Sequence, residues 1–278
     1  MARTDTLGNF LTDVAEAIRN KTGKTDAITP ANFDTEIESI EGGGSSKYAP
    51  RTITFADYTG SDLDYEVANL DTSNLTSMSQ MFYSAQKITN LDISHFVTKG
   101  VTKFFGMFWN AKNLQTIILP EKFEDDKVTD AGSMFNSCGN SSTGIVINAS
   151  GLKLIYAKYI IDMFASCNAT TIDVSQLNPK YNCTSTARLF QNCSKLTSID
   201  MRSFEGAYIT DCSNMFNGCT VLEHLDIRSF DFVKVTSTSG MFNSVPANCE
   251  IIVKDDTAKN FILGLRSDFT NIKTLAEL

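Results

Sequence analysis

A Met-Phe dipeptide recurs along this chain at a nearly constant spacing, and no other feature constrains the fold as strongly. The seven copies, in one of which Leu replaces Met, are Met81-Phe82, Met107-Phe108, Met134-Phe135, Met163-Phe164, Leu189-Phe190, Met215-Phe216 and Met241-Phe242. Successive copies are 26, 27, 29, 26, 26 and 26 residues apart. A fixed period in this range is typical of solenoids, in which each repeat stacks on its neighbours. We therefore predict seven stacked repeats, numbered 1 to 7 after these pairs, between residues 70 and 253.

Apolar and small residues surround each pair at helical spacing. In repeat 1, Leu75 and Met78 precede the pair and Ala85 follows it, and equivalent positions in the other repeats are also apolar or small. Apolar positions at i, i+3, i+4 and i+7 are typical of a short helix with one buried face. We predict one or two helical turns at this point in each repeat.

A short segment that alternates apolar and exposed positions follows each pair by about ten residues. These segments are Leu91-Asp92-Ile93, Ile117-Ile118-Leu119, Ile145-Val146-Ile147, Ile172-Asp173-Val174, Ile199-Asp200-Met201, Leu225-Asp226-Ile227 and Ile251-Ile252-Val253. Such alternation predicts a half-buried strand, and one strand per repeat is expected to form a parallel sheet along the solenoid axis. The predicted fold class is an α/β repeat solenoid, leucine-rich-repeat-like, with one short parallel strand and one short helix per repeat.

These repeats resemble the BspA-like leucine-rich repeats of bacterial surface proteins and of some bacteriophages. The residues that carry the resemblance are Met215-Phe216-Asn217-Gly218-Cys219, Leu222, Leu225-Asp226-Ile227 and Ser229-Phe230, with a second good copy at Leu91-Asp92-Ile93-Ser94-His95-Phe96. The resemblance implies the solenoid fold. It implies no particular chemistry, because such repeats present surfaces and function lies in sites placed on them.

Residues 1–41 are predicted to form a separate helical hairpin. Apolar residues on one face of each of its two helices are Leu7, Phe10, Leu11, Val14 and Ile18 in the first, and Phe33, Ile37 and Ile40 in the second. Two helices of this size seldom form a stable domain alone, so we expect these faces to attach the chain to copies of itself or to a larger body. A hairpin that simply caps the solenoid is the alternative.

The same N-terminal stretch resembles a segment common in structural proteins of phages that infect Gram-positive bacteria. The matching residues are Thr6 to Phe10, Ala15 to Arg19, Lys21 to Lys24, Ile28-Thr29-Pro30 and Glu36 to Ile40. The resemblance implies a virion protein in which the hairpin binds other virion proteins. The predicted domains are then the attachment module at 1–41, a Gly/Ser linker at 42–50, the solenoid at 51–254 and a C-terminal cap at 255–278.

Charge and hydropathy exclude several functional classes. The net charge is -8 and no basic stripe is present, which argues against a nucleic-acid partner. No stretch approaches the ~18 consecutive apolar residues of a membrane helix, and the first twenty residues lack the features of a secretory signal. We expect a soluble protein with no membrane partner. A virion protein needs no secretory signal, because it is made in the host cytoplasm and released by lysis.

The seven cysteines fall into columns of the repeat that elsewhere hold apolar residues. Cys138, Cys167, Cys193 and Cys219 occupy the small position that Ala85 holds in repeat 1. Cysteines in such positions behave as small buried hydrophobic residues. No C-x-x-C pair is present and only two histidines exist, so we predict free thiols, no metal and no cofactor.

Two sets of outward-facing residues are candidate binding sites. The first is a polar column on the strands, formed by Asp92, Asp173, Asp200 and Asp226 together with Arg202 and Arg228 two residues further on. The second is the aromatic pair Tyr83 and Trp109, which occupies a mostly polar column and is predicted to lie one strand spacing, ~5 Å, apart. Exposed neighbouring aromatics suit the flat faces of sugars, although packing on another part of the assembly explains them equally well.

The function that follows is a non-enzymatic phage virion structural protein. We expect a tail fibre, baseplate or head appendage, built as a homo-oligomer, that displays its repeats for receptor binding to a host-surface glycan or protein. A bacterial cell-surface adhesin is the first alternative. The second is a glycan-degrading enzyme of the virion, because two carboxylates on one face could serve a glycosidase.

Overall fold

The structure is a computed structural model, which describes residues 54–55, 67–68, 70–124 and 126–278. The predicted attachment hairpin, with all eight of its apolar face residues, lies outside the described residues. So does the predicted linker. Within the described residues, no helix is long and apolar enough to cross a membrane.

Short parallel strands, one from each repeat and one from the C-terminal cap, form the sheet side of the solenoid. They are β1 (Asn90–Asp92), β2 (Thr116–Ile118), β3 (Ile145–Asn148), β4 (Ala169–Asp173), β5 (Ser198–Asp200), β6 (His224–Asp226), β7 (Glu250–Val253) and β8 (Ile272–Thr274). Within each sheet the strands pair in sequence order, so the chain advances by one strand per repeat. The predicted parallel solenoid is confirmed.

The strand pairing is interrupted once, so the expected single sheet is wrong. β1 and β2 form a two-stranded sheet and β3 to β8 form a six-stranded one, while β2 and β3 lie side by side without pairing. The cause is an insertion in repeat 3, where Asn140 closes a loop by accepting hydrogen bonds from the amides of Ser142 and Thr143. This insertion also moves the register, because Asn148 and not Val146 aligns with Asp173.

The predicted short helix in each repeat is wrong, because the chain there forms a run of tight turns. Left-handed backbone conformations recur one residue before and three residues after the first member of each pair, as at Gln80 (φ 57°) and Ser84 (φ 51°). A right-handed helix cannot continue through a left-handed residue. The position three residues after is Ser, Asn or Gly in all seven repeats, and short polar side chains or none are best suited to this conformation.

These turns are bonded alternately within a repeat and between repeats. In repeat 1, the amides of Met81, Tyr83 and Ala85 each donate to the carbonyl three residues earlier. The alternate amides, those of Gln80, Phe82 and Ser84, donate instead to repeat 2, as the Phe82 amide does to Met107 O at 2.8 Å. The same three inter-repeat bonds recur at every junction from repeat 1 to repeat 7. We call this continuous array the turn ladder.

A stack of phenylalanine rings fills the interior beside the turn ladder. The stack consists of Phe55, Phe82, Phe108, Phe135, Phe164, Phe190, Phe216 and Phe242. Neighbouring rings lie 5.0 to 5.9 Å apart between centroids and are 2° to 18° from parallel. Aromatic pairs of this kind contribute about 0.5–1.5 kcal/mol each beyond the area that they bury. Because no repeat completes its core alone, the stack couples each repeat to the next.

The cysteines are core residues, as predicted. All seven are free and buried. Three of them also link repeats, because the thiols of Cys167, Cys193 and Cys219 donate to carbonyl oxygens 29 residues earlier in the chain at 3.4, 3.0 and 3.2 Å.

The C-terminal segment closes the end of the solenoid. Helix α1 (Asp256–Leu265) begins after Asp255, whose carboxylate accepts a hydrogen bond from the Ala258 amide, and it buries Ala258 and Ile262. Phe269 meets the last ring of the stack, Phe242, edge to face at 5.5 Å. The cap therefore covers apolar surface that an eighth repeat would otherwise have to cover.

Candidate binding surfaces on the solenoid

The aspartates of the strand column stabilise turns at the ends of the strands. The carboxylate of Asp92 accepts a hydrogen bond from the Ser94 amide at 2.9 Å, and Asp173 accepts one from the Ser175 amide at 3.0 Å. Asp200 and Asp226 form the same turn, and an aspartate that bonds the amide two residues later is a standard way to reverse the chain. The Ser94 amide holds the pKa of Asp92 below its ordinary value.

Two arginines neutralise the C-terminal part of this column. Arg202 donates from Nε to both carboxylate oxygens of Asp200, at 3.0 and 2.8 Å, and Arg228 forms the same pair with Asp226. Burial raises the pKa of Asp200, but the Arg202 hydrogen bonds more than offset this, so the net shift is downward. These carboxylates are therefore held as partners of cations.

Asp226 was expected to face outward, but it is buried, and only 1% of its surface is exposed. Its neighbours in the sheet register are Asp200 on one side and Ile252 on the other. The Arg228 side chain pairs with it from two residues along the chain. Strand alternation predicts which way a side chain points, but only the neighbouring strands determine whether it is covered.

The aromatic pair lies where the sequence places it, on the surface of the turn ladder. The rings of Tyr83 and Trp109 are half-buried and meet at a centroid distance of 5.5 Å and an angle of 82°. Phe105, which was not singled out from the sequence, is also half-buried and meets Trp109 at 6.1 Å and 87°. The three rings form one aromatic cluster at repeats 1 and 2.

Amide and hydroxyl groups continue this surface into the later repeats. We call the half-exposed side chains of the turn ladder the turn face. Asn110 Nδ2 donates to Ser84 Oγ at 2.8 Å beside the aromatic cluster, and Asn217 Nδ2 donates to Asn214 Oδ1 at 2.9 Å further along. The turn face therefore combines aromatic rings with side chains that can donate and accept hydrogen bonds.

A bidentate ion pair also lies on the turn face and escaped sequence reasoning. Arg188 donates from Nε and Nη2 to the two carboxylate oxygens of Asp162 at 2.7 and 2.9 Å. Both residues have the left-handed conformation one position before their pairs, at φ 58° and 60°. The sequence signal that could have revealed this ion pair is that the two residues occupy equivalent positions in consecutive repeats.

The two predicted sets of binding residues do not form one site. The polar strand column belongs to the sheet and the aromatic pair to the turn face, and no hydrogen bond, ion pair or ring contact among these described residues joins the two. The solenoid therefore offers at least two separate surfaces.

Three exposed tyrosines were also missed. Tyr156, Tyr181 and Tyr208 expose 45%, 54% and 47% of their surface. They stand seven or eight residues before the pairs of repeats 4, 5 and 6, which is the signal that could have found them.

The described residues contain no group of three or more His, Cys, Asp or Glu side chains that could hold a metal ion. Burial also raises the pKa of the Cys212 thiol to about 12 and that of Cys183 to about 11. Thiolates are the nucleophilic and metal-binding form of cysteine, and this form is disfavoured at both positions.

Comparison with known families gives one result. The family described as "Mycoplasma protein of unknown function, DUF285" matches residues 54–146 and 158–261. The chain belongs to this family. The DUF285 match covers repeats 1 to 7 and the start of the cap, and it agrees with the resemblance to BspA-like repeats. Its gap, at 147–157, follows the insertion of repeat 3, and it begins after the segment that resembles phage proteins. No curated protein and no solved structure matches the chain.

Proposed function

We propose that this DUF285 protein is a non-enzymatic structural protein of a phage virion, whose solenoid is displayed for binding to the host surface. The N-terminal segment attaches it to other virion proteins in a tail fibre, baseplate or head appendage, and the turn face contacts a glycan. The observation that carries the binding role is the Tyr83–Trp109 pair, two half-exposed rings on a surface otherwise rich in amides and hydroxyls.

The chemistry of the turn face favours a sugar ligand. Aromatic rings offer flat apolar faces on which the C–H groups of a sugar pack, and the Trp indole and Tyr hydroxyl add polar contacts. Asparagine amides, such as that of Asn110, supply both donors and acceptors for sugar hydroxyls. A carbohydrate needs both kinds of contact at once.

A non-enzymatic role is favoured by the way in which the strand carboxylates are used. Glycosidases pair a carboxylate with a carboxylic acid of raised pKa. In this column Asp92 and Asp200 have lowered pKa values, because a backbone amide and an arginine respectively stabilise their charged forms. The column therefore supports turns and ion pairs rather than proton transfer.

A bacterial cell-surface adhesin is the second candidate. It is favoured by the DUF285 match, since the description of that family refers to Mycoplasma proteins and not to phages. The virion setting is supported by the resemblance of residues 6–40 to phage structural proteins. Labelling of particles with antibody against the full chain, followed by electron microscopy, decides between the two.

The binding role is tested by replacing the aromatic pair. Trp109→Ala and Tyr83→Ala are expected to weaken binding to purified wall polysaccharide of a Gram-positive host by about thirtyfold, the effect of losing a hot spot of about 2 kcal/mol. Tyr159→Ala is the control, because Tyr159 is a surface tyrosine of the same solenoid whose recorded ring contact is with Lys158 and not with the cluster. Thermal denaturation must show that each variant remains folded. Binding by both turn-face variants at the wild-type level would exclude the aromatic cluster as the site.

A further inference from the structure

Equivalent positions of four consecutive repeats hold Tyr156, Tyr181, Tyr208 and Lys234. The register is given by hydrogen bonds just before them, in which the amides of repeat 5 bond back to repeat 4: Asn178 N to Lys153 O at 2.9 Å and Lys180 N to Ile155 O at 3.0 Å. In the next junctions, Glu205 N bonds to Asn178 Oδ1 at 3.2 Å and Asp231 N to Glu205 O at 2.8 Å. We call these four side chains the tyrosine ridge.

The ridge presents aromatic surface along the solenoid axis. The rings of Tyr156 and Tyr181 stack at 5.3 Å with an angle of 26°, and the Lys234 ammonium lies 4.3 Å from the centre of the Tyr208 ring. With repeats about 4.8 Å apart, four positions span roughly 14 Å. Burial of exposed aromatic rings on binding is favourable. A row of such rings therefore suits a surface that binds a partner.

The charge of the ridge is set by a lysine without an acidic partner. Lys234 lies over the face of Tyr208 and forms no ion pair in the described structure, whereas Lys180 beside the ridge is paired with Glu205 at 3.0 Å. An ammonium that lies over an aromatic ring remains able to bind an anion. One end of the row is therefore cationic on a chain whose net charge is -8.

The backbone at the ridge argues against a peptide ligand. Peptides that bind by adding a strand need free main-chain groups on the receptor. Here the amides of Asn178, Lys180 and Asp231 already bond to the preceding repeat. The ridge therefore offers rings, phenol hydroxyls and one cation, beside main-chain amides that are already bonded.

From these observations we propose that the tyrosine ridge is a second binding site, for an acidic polysaccharide that lies along the solenoid axis. Sugar rings pack on Tyr156, Tyr181 and Tyr208, and a carboxylate or another anionic group of the same chain pairs with Lys234. This site is separate from the turn-face aromatic cluster and does not depend on the virion setting.

The test uses the full chain with alginate as the acidic probe and dextran as the neutral one, in isothermal titration at two salt concentrations. Alginate is expected to bind more tightly than dextran, and Tyr181→Ala or Tyr156→Ala is expected to weaken alginate binding at least about tenfold. Lys234→Gln is expected to weaken it and to reduce its dependence on salt, since the lost contact is ionic.

Two controls separate this site from the one on the turn face. Tyr159→Ala should leave alginate binding unchanged, because Tyr159 is an exposed tyrosine outside both the ridge and the aromatic cluster. The turn face is tested separately with wall polysaccharide, so failure of the ridge and failure of the turn face give different results. Thermal denaturation confirms folding of each variant, and Tyr181→Phe, which keeps the ring, should retain most of the affinity. Equal binding of alginate and dextran, or unchanged alginate binding in Tyr181→Ala and Tyr156→Ala, overturns the proposal. The proposal is also overturned if the ridge variants lose binding only to a host component that protease treatment destroys, because the ligand would then be a protein.

Discussion

Phe108 stacks on Phe135 across the junction at which the strand pairing stops. Their ring centroids are 5.0 Å apart, and the Phe108 amide donates to Met134 O at 2.8 Å, while β2 and β3 share no strand pairing. At this junction the turn ladder, the phenylalanine stack and a few further backbone hydrogen bonds, such as Asn140 N to Leu114 O at 2.9 Å, hold the repeats together without paired strands. It is therefore the place where the solenoid is expected to separate first.

Truncation of the stack at this junction should uncouple the first two repeats from the rest. Phe135→Ala is expected to lower the free energy of unfolding by about 3–5 kcal/mol, the usual cost of removing a buried phenylalanine. Repeats 1 and 2 should then exchange amide hydrogens before repeats 4 to 7, as nearest-neighbour coupling predicts. Phe190→Ala, inside the six-stranded sheet, is the control and should cost as much without separating the two parts. Uniform exchange in Phe135→Ala would contradict this interpretation.

Gly218, at one left-handed position of the turn ladder, should be sensitive to an added Cβ atom. Gly218 has φ +80°, and an added Cβ would lie 2.4 Å from Asn192 Oδ1. Gly218→Ala is therefore expected to destabilise the fold by at least about 1–2 kcal/mol. In the helix α1, Gly264 has open space around it, so Gly264→Ala should stabilise by up to about 1 kcal/mol. Urea denaturation measures both, and shifts of the same sign would refute the argument.

Alkaline pH should destabilise the solenoid through its buried thiols. Burial raises the pKa of Cys219 from 9.0 to about 12, so the folded state keeps its proton where the unfolded state loses it. The unfolded state then binds fewer protons, and stability falls as pH rises from about 9 towards 12. Cys219→Ala should make the fall between pH 9 and 11 shallower, as followed by urea denaturation. An identical pH profile for the wild type and this variant would rule out the contribution.

The two arginine–aspartate pairs of the sheet should differ in their contribution to stability. The Arg228 partner, Asp226, is buried, whereas the Arg202 side chain is 57% exposed and its partner Asp200 is 29% exposed. Arg228→Gln leaves a buried carboxylate without its cation and is expected to cost up to about 3 kcal/mol. Arg202→Gln should cost less than about 1 kcal/mol, as exposed pairs do. Equal losses in thermal denaturation would show that burial of Asp226 has no consequence.

Removal of residues 1–41 tests the attachment role proposed for the N-terminal segment. The truncated chain should keep the thermal stability of the solenoid but fail to enter phage particles, which quantitative immunoblotting of purified particles measures. A control with Leu7→Asp and Phe10→Asp in the full chain should fail in the same way if the apolar helix faces make the contact. Normal incorporation of both chains would remove the support for attachment through this segment.

The repeat, its period and the residues of its core could all be derived from the sequence. The Met-Phe pairs, the apolar strand positions and the small cysteine column are buried where the pattern predicts, because each of them is repeated seven times in the same register. The backbone conformation around the Met-Phe pairs was predicted wrongly. Apolar spacing alone suggested a helix, while the column of Ser, Asn and Gly from Ser84 to Ser244 carried the signal for left-handed turns.

The sequence by itself determined that the chain is a stacked repeat, since one repeat cannot bury its own apolar face and a regular period offers each repeat the same partner. Tertiary structure alone decided the break between β2 and β3, the burial of Asp226 and the stacking of Tyr156 on Tyr181. The physical reason is that each of these depends on contacts between repeats. Insertions such as that of repeat 3 change which residues meet across a junction, and a pattern read within one repeat does not contain that information.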